Sequence, residues 1–528
     1  MLDLLIRNAT VIDGTGSPAF VADIGVSGDR ITEIGTLAPN AQAEQTIDAT
    51  GLIASPGFID IHTHADIALM ARPDHLPKVM QGVTTEVFTN CGLGFAPITG
   101  AGLEIQRKFI AGLFGDDGCC SPDPTAPKAD WTWRSVAEFL SHYEKQGIAT
   151  NVAYLVPHGS LRVSAMGMDE RPATADEREI MLKLLRQGME EGAWGMSTGI
   201  WYAPMRSADK EELVALCRTA GFFATHQRDY GDQIGSATQE TLDTAQQAGV
   251  PVQIAHLQMN GASNAGRAPQ ILEHLEAARA SGIDVTCDTY PYTAGSTFVQ
   301  ALLPVWAADG GPDHILRRLA DPLIQKEIID DLESHPIDWS RYALVGAESS
   351  ANAPYEGMGF ETIAQQRGMS VPQWICALLQ EDELRACFVS HGAHEENVRT
   401  IMQWEHQMVG SDGLHLPGKT HPRLYGTFPR ILGYYAREER VISLETAVHK
   451  MTLAPAKRLG LKQRGALEKG SFADIVLFDP KTVRDVATFE DPLRYPTGIN
   501  WVFVNGKAAK SNGISTPTLS GSVLRRTS

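Results

Sequence analysis

The chain has 528 residues, 43% of them hydrophobic and 20% charged, with a formal net charge of −18 and a pI near 5.3. That length exceeds one ordinary domain, but a barrel of about 250 residues with appendages accounts for most of it. The acidic balance makes nucleic acid or an anionic membrane surface a poor partner.

Residues 2–53 alternate short β runs with turns: 4–6, then 9–12 closing at Asp13-Gly14, then 23–26 followed by Gly28-Asp29, then 31–34. The same texture returns at 470–506. The two ends are therefore expected to build one small β-sandwich, from residues 1–55 and 461–528, flanking a central domain over 56–460.

That central domain opens on the run from Ile53 through Pro56-Gly57-Phe58-Ile59-Asp60-Ile61 to His62-Thr63-His64. Its apolar part with Phe58 and Ile59 reads as a buried strand ending in histidines, and Pro56-Gly57 at its start marks the place where the chain turns into it. Side chains alternate along a strand, so His62 and His64 point the same way, roughly 7 Å apart, and both imidazoles can reach one ion. An arbitrary His-x-His is as often an ordinary polar strand end. Here, however, the pair sits where parallel α/β folds place their chemistry.

Seven more apolar runs follow at 83–88, 152–156, 194–198, 222–225, 252–255, 285–288 and 408–411, alternating with helical patterns such as 177–190 and 240–247. Eight strands with intervening helices predict an α/β fold of the TIM-like (β/α)8 barrel type. Two stretches break the rhythm. Residues 116–133 read as a long irregular loop, and about 298–342 reads as an insertion beside the barrel mouth. The Ser-, Gly- and Thr-rich tail after Lys510 is expected to be loosely held.

Past the strand ends lie Cys91, His226, His256 and Asp412. Singly, each has an ordinary explanation: a buried Cys packs, a strand-end His hydrogen-bonds, and Asp412-Gly413 turns. Jointly they share one register with His62 and His64, placing four histidines, a thiol and a carboxylate at one end of the barrel. Soft sulfur with imidazole favours zinc over magnesium or calcium. The seven cysteines form no disulfide framework, the amino terminus has no secretory leader, and no run reaches about 18 apolar residues. These features point to a cytoplasmic protein.

Several further stretches carry a resemblance: Gly82-Val83-Thr84-Thr85, Asn90-Cys91-Gly92, Gly195-Met196-Ser197-Thr198-Gly199, Asp288-Thr289-Tyr290-Pro291-Tyr292 and His421-Pro422-Arg423-Leu424-Tyr425-Gly426. With the metal motifs, the chain resembles the amidohydrolase superfamily and, within it, the N-acyl-D-amino-acid deacylases, over nearly its whole length. The resemblance implies a zinc held tightly by Cys91, His226 and His256, with His62 and His64 facing a second, weaker position that Cys91 can share. It implies Asp412 as the catalytic carboxylate and Tyr202 as a donor to the scissile carbonyl, although packing explains Tyr202 equally well. A substrate carboxylate would meet Arg423, Tyr290 and Ser296, and Gln258 where relatives carry a lysine.

The expected activity is zinc-dependent hydrolysis of a linear amide, an N-acyl-D-amino acid, with the D preference resting on the resemblance alone. The expected partner is a small-molecule amide. Hydrolysis of a neutral or cyclic amide or imide on the same scaffold remains an alternative, as does an inactive barrel serving as a binding module. Residues 193–199 contain no lysine of the kind that bridges metals in hydantoinase-like relatives, and every metal and base position is filled.

Overall fold

The computed structural model describes residues 1–114, 129–335, 337–416 and 418–526. Eight parallel strands close into a barrel: β1 (Phe58–Asp60, continued by Thr63–His64), β2 (Val83–Phe88), β3 (Asn151–Tyr154, continued by Val156–Pro157), β4 (Met196–Gly199), β5 (Phe223–His226), β6 (Val252–Ile254), β7 (Val285–Thr289) and β8 (Gln407–Val409, continued by Gly413–Leu414). Each pairs with its neighbour, and Gly413–Leu414 returns to Thr63–His64, closing the ring. Apart from Thr286 on β7, the residues of these short strands are buried, because the ring is filled from within and covered by helices outside.

The helices start and stop where the sequence supplies caps. Ala175–Glu190 begins on a capping box in which Thr174 and Glu177 exchange side-chain and backbone hydrogen bonds. Ile234–Ala248 stops at Gly249, whose φ of 71° few other residues adopt at low cost. No described helix is long and apolar enough to cross a membrane.

The β-rich ends do form one small β domain, a continuous path of strands running from Ile514–Ser515 through Ile475–Phe478, Ile53–Pro56 and Leu2–Val11 to Arg30–Gly35. One detail differs from what the sequence predicts. Runs 4–6 and 9–12 are one strand, Leu2–Val11, with a bulge at Asn8; its φ is 58° and its N–H donates to Asp23 Oδ1 at 3.0 Å. The chain turns into the barrel strand at Pro56-Gly57, where the sequence places the turn. Ile53–Pro56 pairs with Leu2–Val11 and Ile475–Phe478 in the β domain, and the barrel begins only at Phe58. Gly57 makes the switch, because a Cβ there would lie 2.1 Å from Thr84 Oγ1.

The stretch that breaks the βα rhythm carries a three-stranded antiparallel sheet of Gly295–Phe298, Cys387–Ser390 and Tyr342–Val345. It therefore extends well past residue 342. Helices Phe360–Arg367 and Val371–Glu381 lie within it, the second with Trp374, Ile375, Leu378 and Leu379 buried along it. Most of the irregular loop expected at 116–133 lies outside the described residues, while Trp133 at its end is buried and donates from Nε1 to the Phe95 carbonyl at 2.9 Å.

The tail is not loose. Val152 donates to Ser522, and Gly521, Leu524 and Arg526 donate to the Ile148, Val152 and Gly192 carbonyls at 2.7–2.9 Å. Composition suggested mobility, but these backbone pairs strap residues 521–526 across the barrel's amino-terminal end.

Candidate active site

Every candidate ligand sits where a barrel strand runs out. His62 and His64 end β1, Cys91 follows β2, His226 ends β5, His256 follows β6 and Asp412 follows β8. Cys91, His256 and Asp412 adopt φ values of 57°, 33° and 50°. Left-handed backbone at non-glycine residues costs on the order of 1–3 kcal/mol each and persists only where surrounding structure fixes it. Gly199 is part of that fixing, since a Cβ there would lie 2.2 Å from the Cys91 carbonyl oxygen.

Cys91 Sγ lies 3.4 Å from His62 Nε2 and 3.4 Å from His256 Nε2, and His226 Nδ1 lies 2.9 Å from His256 Nε2. On the other side, Asp412 Oδ1 is 3.1 Å from His64 Nε2 and 3.5 Å from His62 Nε2. Ligands at about 2.0–2.3 Å around a tetrahedral ion stand about 3.5 Å from one another. The donors therefore already have the spacing of a coordination shell. His62, Cys91 and His256 form one group able to hold a cation, and His62, His64 and Asp412 form another. One thiol among imidazoles suits zinc.

The electrostatics agree with that reading. Burial, with His256 adding to it, holds His226 well below the usual histidine range, and burial brings His256 down to about 4. Burial also lowers His64. All three are thus neutral, the form that ligates. His62 differs: burial depresses it, but Asp288, Cys91 and Asp412 outweigh burial and raise it, so the group favours positive charge at this point. Burial alone would raise Asp412, yet Arg423 and His62 hold its carboxyl well below the usual carboxylate range.

A cavity of about 270 Å³ opens over this cluster. His64, Cys91, His226, His256, Asp412, Tyr202, Gln258, Tyr290 and Ser296 all line it. Gln258 Nε2 donates to the Tyr292 carbonyl at 2.9 Å, and the Tyr202 hydroxyl meets Thr297 Oγ1 at 3.1 Å. Ser296 Oγ is buried and has no hydrogen-bond partner among the described residues. Arg423 is placed differently from expectation. It is fully buried behind the cavity, with Nη1 2.9 Å from Asp412 Oδ2, Nη2 donating to the Ser296 carbonyl, and its guanidinium 4.6 Å from the Tyr290 ring centre.

The sequence reading assigned no role to the residues that support the ligands. Asp288 on β7 accepts from His62 Nδ1 (3.1 Å), the His256 N–H (2.8 Å) and Gln253 Nε2 (2.6 Å), fixing two imidazole-bearing strands at once. Asp60 on β1 accepts from the Ser411 N–H at 2.8 Å and from Lys78 Nζ at 2.5 Å; Lys78 also donates to Ser411 Oγ at 2.6 Å. This buried group ties β1 to β8 beneath His62 and Asp412. The available signal was a charged residue inside an otherwise apolar run, which both Asp60 and Asp288 are.

With the geometry in place, comparison with known proteins adds the lineage. The model of a family described as amidohydrolases matches residues 45–509. D-aminoacylase of Alcaligenes xylosoxydans xylosoxydans is 37% identical over 529 residues, covering 99% of this chain and 98% of its own. A crystal structure of D-aminoacylase superposes with a TM-score of 0.82 at 36% identity, covering all of both chains. A crystal structure of N-acyl-D-glutamate deacylase from Bordetella bronchiseptica, complexed with zinc and a phosphonate inhibitor that mimics the tetrahedral intermediate, gives 0.81 at 32% identity, covering 99% of this chain and 100% of that one.

Proposed function

The chain belongs to the amidohydrolase family, in the branch of the N-acyl-D-amino-acid deacylases, and from that premise we propose that it hydrolyses N-acyl-D-amino acids to a carboxylate and a free D-amino acid. The observation that carries the reading is the cavity in which Cys91, His226, His256 and Asp412 meet Tyr290, Ser296 and Gln258. Side chains able to ligate a metal, a proton acceptor and groups suited to a carboxylate thus line one cavity.

Cys91, His226 and His256 would hold a zinc ion tightly, and His62 with His64 a second, weaker one. Zinc bound there supplies Lewis acidity and lowers the pKa of a coordinated water toward neutrality. Asp412 does the proton work. Arg423 holds Oδ2, which leaves Oδ1 on the histidine side to take the proton of the attacking water and return it to the departing nitrogen as the C–N bond breaks. Asp288 keeps His62 and the His256 backbone in register. Ser296 Oγ, the Tyr290 hydroxyl and the Gln258 amide are the donors available to the substrate carboxylate, with Arg423 adding charge from behind. Tyr202 stands by the metal cluster, packed on His226 with ring centres 4.8 Å apart, where it can donate to the carbonyl oxygen.

We place the protein in the cytoplasm because Cys91, Cys217, Cys287 and Cys376 are unbridged thiols. The test of function is a panel of paired D- and L-N-acetyl amino acids with neutral amides, assayed on zinc-loaded enzyme. Turnover confined to the D acids supports the reading. Turnover confined to neutral or cyclic amides, or none, overturns it.

A further inference from the structure

The cavity is also lined by Asp229, Asn260, Tyr342, Phe388, Ser390 and Leu302, and by Trp201, which stacks on His226 with ring centres 5.6 Å apart. No lysine or arginine lines the cavity among the described residues. The nearby cations are committed elsewhere. Arg228 holds Glu240 through Nε and Nη2, both at 2.9 Å, and donates from Nη1 to the Ile200 and Arg206 carbonyls. Arg206 holds Glu170 at 2.7 Å, and Arg341, close behind Gly392 and Asn260, holds Asp338 at 3.1 Å. Arg423 is paired with Asp412.

Among the described residues Asp229 has no such partner. It is half-buried, and its Oδ1 accepts from the Gly231 and Gln233 N–H groups at 2.7 and 2.9 Å. Among the described residues its other oxygen makes no hydrogen bond or ion pair, and Asp229 lines the cavity. A carboxylate withdrawn from water without a cation is costly, and a second carboxylate brought beside it costs more. An amino acid with an acidic side chain would meet that cost here. A side chain with an apolar stem and a cationic head would not: the stem lies along Trp201, Leu302 and Phe388 while the head reaches Asp229.

Building on the deacylase reading, we propose that this cavity selects N-acyl-D-amino acids with a cationic side chain, with Asp229 as the residue that recognises the charge. Acidic side chains are rejected by the same carboxylate.

The experiment compares kcat/KM for N-acetyl-D-lysine, N-acetyl-D-norleucine and N-acetyl-D-glutamate on the zinc-loaded enzyme. Norleucine carries the lysine stem without the ammonium. The expected order is lysine, norleucine, glutamate, with steps on the order of tenfold, as charge-assisted hydrogen bonds allow. Asp229→Asn keeps the oxygen that accepts from Gly231 and Gln233, so the turn is preserved. In it the lysine-to-norleucine ratio should fall to about one, whereas in the wild type that ratio should shrink with added salt. Equal use of lysine and norleucine by the wild type, preference for glutamate, or an unchanged ratio in Asp229→Asn would overturn the proposal while leaving the deacylase reading intact. Failure to turn over any of the three, or any other N-acyl-D-amino acid, would overturn the deacylase reading and this proposal together.

Discussion

Asp66 opens the helix Asp66–Ala71 immediately behind His64 and is wholly buried. Burial pushes its carboxyl up to about 8, with Glu86 adding to the shift and the backbone N–H groups of Asp66 and Thr89 opposing it. In the unfolded chain the group ionises near 3.8. Between those values the folded protein keeps a proton that the unfolded chain has released, so stability falls as pH rises through this window, and the loss is complete above it. At about 1.4 kcal/mol per unit over about four units, ionisation costs on the order of 5 kcal/mol. Asp66→Asn keeps the shape and cannot ionise. Urea midpoints of the wild type and the variant, taken from about pH 5 to about pH 8.5, should therefore diverge, with the variant increasingly the more stable by a gap on the order of 1 M. Because both proteins share every other titrating group, their difference isolates this one. Parallel profiles would refute the reasoning and show that the Asp66 site is hydrated or charge-compensated.

Asp412→Asn should retain zinc and fold while losing about 10²–10⁴-fold in kcat, since an amide cannot take the water proton; turnover close to wild type would assign the base elsewhere. Cys91→Ala should purify folded and largely free of zinc, because it leaves an incomplete tetrahedral set, and elemental analysis showing one tightly held zinc per chain would defeat the assignment. Gln258→Lys adds a cation to the cavity wall and should lower KM for N-acyl-D-amino acids, by an amount worth about 1–2 kcal/mol. Should KM stay unchanged for acids and for neutral amides alike, Gln258 does not touch the substrate.

The sequence by itself determined the barrel, because buried parallel strands must be short apolar runs and the alternation of such runs with amphipathic helices admits few architectures. It also determined which residues lie at the strand tips, since a tip is the point where an apolar run gives way to His62, Cys91, His226 or Asp412. Three things were beyond its reach. Pro56-Gly57 marks in the sequence where the chain turns into the barrel strand, but not which strands Ile53–Pro56 pairs with; those are Leu2–Val11 and Ile475–Phe478, distant in sequence. The tail is polar and small, yet its backbone N–H and C=O groups find partners on β3 and at Gly192, which composition does not encode. The roles of Asp288, Lys78 and Arg423 depend on which atoms of distant segments come within hydrogen-bonding reach; Arg423 pairs with Asp412, eleven residues away, while Lys78 joins Asp60 to Ser411. Local chemistry fixes what a residue can do, but only the closed barrel decides which neighbour it does it with.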